Sequence, residues 1–492
     1  MTVSQKSIAS LAMLALLIFG SSGMIQSAEL PNIVLILVDD MGYGDPGCFN
    51  PDSKIPTPNI DSLAAEGMRF TDAHASGPLC HMSRYGLMTG RYPFRINVGR
   101  WPKQALIEPD EVTLPSLLRD AGYRTAMVGK WHVGFNEDGY DKPLPGGPVD
   151  RGFDSFFGIR ASTDIPPYFY IRDRMAVAPP SDSIEANQSE GWSPIQGAFW
   201  RAGGIAPGLE LSDVLPKFTE EACQVIQSHA GRDQPLMLYV AYPAPHTPWL
   251  PAEEFAGKSG AGMYGDFAMM VDAMIGKILK QLDAAKMTDD TLVIFTSDNG
   301  PVWYETDVQR FGHDSSGGLR GMKADAWECG HRMPMIARWP GVIAAGSVSD
   351  KTISFVDFLA TADELTESDV YQHQDKTDVG PDSFSFLGEL TGMPSKAPQR
   401  PSLALQSGKG LMTIRRGDWK FIDGDGSGGF SDRGAKGKPK TPKGQLYNLA
   451  EDLGETNNLI DQHPELVESL RDELAAIKRA PRSRDLNGAV KP

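Results

Sequence analysis

Residues 32–38 read Asn-Ile-Val-Leu-Ile-Leu-Val, an apolar run with no polar alternation. Such a segment is stable as a strand only when both of its faces are covered, which points to a mainly parallel sheet between layers of helix. The chain repeats the pattern at residues 124–128, 236–241 and 292–296, with a weaker run at 335–339. Helical stretches lie between these runs. Thr57-Pro58 opens one, Ile60, Leu63 and Ala64 give its apolar face, and Gly67 ends it. Residues 113–121 form another, closed by Gly122, and Phe267, Met270, Val271, Met274, Ile275, Ile278 and Leu282 mark a long amphipathic helix. Alternation of this kind predicts an α/β fold, a large mainly parallel sheet flanked by helices.

The 492 residues suffice for one large core and a second, smaller one. Residues 1–28 read as a signal peptide: Lys6 gives a positive start, the apolar run 8–19 is too short to span a bilayer, and Ala28 is a cleavage edge. A periplasmic or secreted protein follows, with no stable membrane insertion once the signal is removed. Residues 29–365 carry the strand and helix alternation, and 366–400 lack a clear period and read as a linker. Residues 401–492 hold short strand-like runs at 403–406, 411–415, 419–422 and 445–449, then a helix over 464–478, and read as a small α+β subdomain. The Gly-, Lys- and Pro-rich stretch 424–443 reads as a mobile loop. A net charge of −16 disfavours nucleic acid as a partner and requires any anion site to be locally positive. The four cysteines (Cys48, Cys80, Cys223, Cys329) allow at most two bridges, too few for a disulfide scaffold.

Open parallel sheets bind ligands beyond the carboxyl ends of their strands. The first strand empties into Asp39-Asp40, the second into Lys130-Trp131-His132, the third into His246, and the fourth into Asp298-Asn299. Asp39, Asp40, Asp298 and Asn299 offer hard oxygen donors, which select Ca²⁺ or Mg²⁺ over Zn²⁺. Each pair alone has a blander reading as a turn or helix cap; their common placement favours function. The stretch 80–91 reads Cys-His-Met-Ser-Arg-Tyr-Gly-Leu-Met-Thr-Gly-Arg, with Gly77 and Pro78 breaking the chain before it. Cys80 would then open a helix whose N-terminal N–H groups favour an anion, with Arg84 one turn further on. Taken alone, Cys80 is an inert buried thiol or half of a disulfide.

With these segments side by side, the chain resembles the formylglycine-dependent sulfatases of the alkaline phosphatase superfamily. Their signature, C-x-P-S-R followed by a stretch ending T-G-R, is matched by Cys80, Ser83, Arg84, Thr89, Gly90 and Arg91. Asp39-Asp40, Gly129-Lys130-Trp131-His132, Pro245-His246-Thr247-Pro248 and Ser297-Asp298-Asn299-Gly300 match further motifs. So do Leu319-Arg320-Gly321-Met322-Lys323 with Glu328 and Gly330, and Leu446-Tyr447-Asn448-Leu449 with Gly454-Glu455 and Asn458-Leu459 near the end. Two positions depart: Met82 stands where the family usually has Pro, within the stretch read by the maturation enzyme, and Cys329 replaces a Gly.

The resemblance implies that a formylglycine-generating maturation enzyme converts Cys80 to formylglycine (3-oxoalanine). One hydroxyl of the hydrated aldehyde attacks sulfur, and the other expels the bound sulfate. It implies one Ca²⁺ held by Asp39, Asp40, residue 80, Asp298 and Asn299, with Arg84, Lys130 and Lys323 on the sulfate oxygens. Asp298 takes the proton from the attacking hydroxyl, His246 with Lys323 protonates the leaving oxygen, and His132 is the base for release. The substrate is a sulfated small molecule or glycan, read by residues 162–201 and the C-terminal subdomain. His313 and Asp314 are candidates to touch it. Arg100, Trp101 and Arg151 lie near motif segments without an assigned role. Two rivals stay open: a phosphonate or phosphate monoester hydrolase on the same scaffold, and a non-catalytic carbohydrate-binding protein.

Overall fold

A computed structural model describes residues 30–368, 379–395, 398–432 and 443–484; the expected signal peptide lies outside them. Strands β1 (Asn32–Asp39), β2 (Met68–His74), β3 (Arg124–Lys130) and β4 (Ser155–Ile159) join the strands Leu236–Pro245, Thr291–Ser297 and Arg332–Arg338 in one 11-stranded sheet. β1 is central, between Thr291–Ser297 and Leu236–Pro245, and parallel to both. β3 and β4 continue the parallel array on one side.

Both faces of β1 are covered, which accounts for its unbroken apolar sequence. Val34, Ile36 and Val38 enter a core with α1 (Pro58–Glu66), α4 (Val214–His229) and α5 (Gly262–Ala284). Ile33 and Leu35 face the opposite way, towards Leu114 and Leu118 of α3 (Leu114–Asp120) and Phe358 of the helix Phe358–Thr366.

The parallel array ends at Arg332–Arg338, which runs antiparallel to Thr291–Ser297 and to β2. β2 and α4 have no counterpart among the expected elements. β2 carries Arg69, Asp72 and His74 in seven residues, and each finds a partner: Asp72 pairs with His74 at 2.9 Å and with Arg415 and Arg332 of other segments at 2.5 and 3.3 Å, and Arg69 donates to the Cys48 carbonyl at 2.7 Å.

The C-terminal strands Leu403–Gln406, Met412–Arg416, Trp419–Ile422 and Gln445–Asn448 form an antiparallel sheet, covered by the helix Pro464–Arg479. Val467, Leu470, Leu474 and Ile477 pack on Ile414, Phe421 and Leu446, and the same cluster takes in Tyr92 and Val356 from the main body. Within the stretch read as a linker, Asp382 accepts two bonds from Arg95, at 2.7 and 2.6 Å, and the helix Leu387–Thr391 follows. Within the stretch read as a mobile loop, residues 424–432 are pinned: Asp432 accepts from the N–H groups of Ser427 and Gly428 at 3.0 and 2.7 Å, and Ser431 bonds Asp325. Residues 433–442 lie outside the described ones. All four cysteines are free thiols.

Candidate active site

The register of the sheet assembles the site. β1 pairs Val38 with Ser297, so Asp39 and Asp298 leave adjacent strands side by side. β3 ends at Lys130, and His246 follows directly on Leu236–Pro245. Asp40 and His132 both turn out of their strands with left-handed backbone (φ 64° and 59°), which re-aims their side chains off the sheet edge.

Cys80 is the first residue of α2 (Cys80–Thr89) and is 4% exposed. Its Sγ lies 3.3 Å from Asp39 Oδ1 and 3.3 Å from Lys323 Nζ. Arg84 donates Nε to Asp298 Oδ2 at 3.0 Å, one terminal nitrogen to Asp39 Oδ2 at 3.1 Å, and the other to the Lys130 carbonyl at 2.8 Å. Lys130 donates to Asp39, and Lys323 to Asp40 at 2.5 Å. Three carboxylates thus face three cations in a buried space. Burial raises the Asp39 carboxyl, but the charges of Lys130, His246, Arg84 and Lys323 outweigh it and hold the group well below the usual range. Asp298 is pushed up by burial and then by Asp39, while burial, Asp298 and Asp39 drive the Cys80 thiol well up. The unmodified cysteine is therefore held neutral, a poor nucleophile as it stands.

The donor set suits a hard cation. Asn299 Oδ1 is buried and has no hydrogen-bond partner among the described residues, while its Nδ2 donates to Asp40 Oδ1 at 2.6 Å. Ligand atoms of Asp39, Asp40, Cys80 and His246 lie within 4.8 Å of one another. His246 Nε2 is 3.7 Å from Asp40 Oδ2, and Nδ1 lies 2.6 Å from the Thr247 carbonyl oxygen. His132 is buried; burial, Lys130 and Arg84 hold its pKa well below the ordinary value, and its Nδ1 has no partner among the described residues. All ten positions singled out from the sequence (Asp39, Asp40, Cys80, Arg84, Lys130, His132, His246, Asp298, Asn299 and Lys323) lie around this one sheet edge.

Other candidates separate. Both ring nitrogens of His313 are engaged within the fold, one with Asp45 at 2.8 Å and the other with the Lys54 N–H at 3.3 Å, which leaves neither for a substrate. Asp45 also accepts from the Tyr264 hydroxyl, whose single hydrogen is shared with the Asp40 carbonyl 3.1 Å away, so the group props the carboxylate loop from behind. Asp314 accepts from the N–H groups of Ser316 and Gly318 at 2.9 and 2.8 Å. Arg100 pairs with Glu108 at 2.8 Å and Arg151 donates to the Ile107 carbonyl at 2.8 Å. Trp101, in contrast, stacks on His81 (centroids 5.0 Å, planes 9° apart) and lies 4.4 Å from the His132 ring, so it belongs to the site. Asp164 is a residue that sequence reasoning missed. Its Oδ1 lies 4.0 Å from His246 Nδ1 without a hydrogen-bond partner among the described residues, and its Oδ2 pairs with Arg201. The signal was faint, a lone Asp inside an irregular loop.

The fold is that of the alkaline phosphatase superfamily. The family model described as Sulfatase matches residues 31–368, and the chain belongs to the sulfatase family. It is 33% identical to an N-acetylgalactosamine-6-O-sulfatase of Bacteroides thetaiotaomicron, over 92% of this chain and 94% of that protein. It is 32% identical to human arylsulfatase A, over 90% and 87% of the two chains. A solved B. thetaiotaomicron structure, described under the metabolism of multiple glycosaminoglycans, superposes with a TM-score of 0.79 at 31% identity, covering 92% of this chain and all of that one. The protein is a sulfuric ester hydrolase.

Proposed function

We propose that this sulfatase acts on a sulfated carbohydrate outside the cytoplasm, with Cys80 matured to formylglycine and one Ca²⁺ bound. The observation that carries the reading is the convergence on Cys80 Sγ of Asp39 Oδ1 and Lys323 Nζ, each at 3.3 Å, inside a balanced set of three carboxylates and three cations. A divalent cation and a sulfate ester added to that set bring opposite charges, so neither is left buried unpaired. Asp39, Asp40, Asp298, Asn299 and the side chain of residue 80 would hold the cation, which supplies Lewis-acid polarisation of the sulfate. The hydrated aldehyde supplies the attacking oxygen and its own release.

The remaining roles belong to the chain's own side chains. Arg84, Lys130 and Lys323 neutralise the sulfate oxygens, fixed in place by their carboxylate partners before substrate arrives. Asp298 takes the proton of the attacking hydroxyl. His246, with Lys323, meets the leaving oxygen, and the neutral His132 takes the proton at the release step. The relative named N-acetylgalactosamine-6-O-sulfatase supports a sugar substrate. Residues 162–201 would contribute to its recognition through Asp164 and Arg201 beside His246. The partner in maturation is a formylglycine-generating enzyme. Among the described residues no helix is long and apolar enough to cross a membrane.

Mass spectrometry of the peptide containing residue 80, from protein made in its native host, is expected to show the aldehyde. Sulfated sugars and an aryl sulfate should be hydrolysed, and the matching aryl phosphate far more slowly. An intact thiol with no turnover of any sulfate ester would end the proposal. Chelation with EDTA is expected to lower both activity and the unfolding midpoint. Saturating Ca²⁺ should restore both, with about 3 kcal/mol of stabilisation at a hundredfold excess over Kd. Full activity and an unchanged midpoint in the chelated enzyme would remove the cation from the mechanism.

A further inference from the structure

We infer that the C-terminal part of the chain is a positioning element for catalysis, with Gly408, Gly429 and Ser431 holding the Lys323–Asp325 backbone so that the Lys323 ammonium meets Cys80. The inference rests on the proposed contact of Lys323 with the leaving oxygen.

Lys323 lies outside any helix or strand. Its ammonium sits on a flexible four-carbon stem, so its position depends on how firmly the main chain beneath is held. Two bonds fix the N–H side of that chain. Lys323 N–H donates to the Pro301 carbonyl at 2.9 Å, just past Asn299, and Ala324 N–H donates to the Pro78 carbonyl at 2.8 Å, just before Cys80. Ala324 is left-handed, with φ 74°, a conformation a residue with a Cβ keeps only when its surroundings impose it.

The imposing contacts come from the C-terminal part. Gly408 N–H donates to the Ala324 carbonyl at 2.8 Å, and Ala326 N–H donates to the Ser427 carbonyl at 2.8 Å. The fully buried Asp325 carboxylate accepts from Met322 N–H at 2.9 Å, from Ser431 N–H at 3.1 Å and from the Ser431 hydroxyl at 2.5 Å. Gly429 lies flat on the same peptide: a Cβ there would stand 2.2 Å from the Ala324 carbonyl oxygen. Further along, Glu328 N–H donates to Glu455 at 2.7 Å, and the buried Lys420 ammonium bonds Glu328 and Glu455, each at 2.9 Å. Pinned from both sides, the segment has little room to shift. These groups act through Lys323 and are positioning residues.

The test compares wild type with Ser431→Ala, Ser431→Thr, Gly429→Ala and Lys323→Ala on aryl sulfates whose leaving phenols span a wide range of acidity. A displaced Lys323 costs most where the leaving oxygen most needs a proton. Ser431→Ala and Gly429→Ala are therefore expected to lose about 10- to 100-fold in kcat on the poorest leaving groups and little on the best. KM should change far less, and Ser431→Thr, which keeps the hydroxyl, should restore the wild-type dependence. A loss equal across all leaving groups, or no loss, overturns the inference; Ser431→Ala alone decides it should Gly429→Ala fail to fold. If Lys323→Ala itself shows no steeper leaving-group dependence than wild type, the assignment of Lys323 fails instead, a separately visible result.

Discussion

Replacing Cys80 by alanine is expected to lower turnover of every sulfate ester by about 10⁴-fold or more, because it removes the proposed nucleophile and its exit route together. The surrounding site should survive. Cys80 contributes one buried sulfur atom, and its two polar contacts are 3.3 Å long, so the loss in folding stability is expected to stay near ~1 kcal/mol. Arg84, Lys130 and Lys323 keep their carboxylate partners in the variant and should still bind a sulfate group. Binding of a sulfated sugar measured by calorimetry is thus expected to persist while kcat disappears. A variant that turns over within tenfold of wild type would falsify the assignment of the nucleophile.

Arg84→Met is expected to be the most damaging change to stability in the site. The guanidinium is 1% exposed and donates to Asp39, Asp298 and the Lys130 carbonyl. A methionine leaves two adjacent buried carboxylates short of a partner and one carbonyl unpaired, a loss of about 3–5 kcal/mol. Activity should fall with it by at least about 10²-fold, since the fixed charge proposed to meet the sulfate oxygens is gone. With Asp39 and Asp298 less neutralised, a divalent cation should bind more favourably. Millimolar Ca²⁺ should therefore recover part of the lost midpoint and narrow the gap to wild type. Thermal unfolding with and without Ca²⁺ measures this; equal midpoints for the two proteins would show that the carboxylates do not depend on Arg84.

Much of the fold and of the site could be read from the sequence because both follow from short-range pattern. β1 and the strands Leu236–Pro245 and Thr291–Ser297 are largely apolar runs, β3 carries a shorter one at Ala126–Val128, and Asp39, Lys130, His246 and Asp298 sit at or just past their ends. Parallel pairing then brings those ends to one edge without further information. What escaped depends on partners far along the chain. β2 is stabilised by Arg332 and Arg415, more than 250 residues away, and nothing local marks it as a strand. The reversed direction of Arg332–Arg338 is likewise a property of its neighbours. α4 shows its apolar face at Val214, Phe218, Ala222 and Ile226, but Pro216 in its first turn obscures the reading, although a proline there removes no helical bond. Asp164, Trp101 and the Asp45–Tyr264–His313 prop are irregular-loop or core residues whose roles appear only when His246, His132 and Asp40 are beside them.

The apolar cluster joins Tyr92, just past α2, to residues 403–477. A contact spanning more than 300 residues closes late, after the chain between has been made and its local structure has formed. Until then the Lys323 segment lacks its C-terminal support. The last fifth of the polypeptide, which begins near residue 403, is therefore the part that completes the support beneath the Lys323 segment.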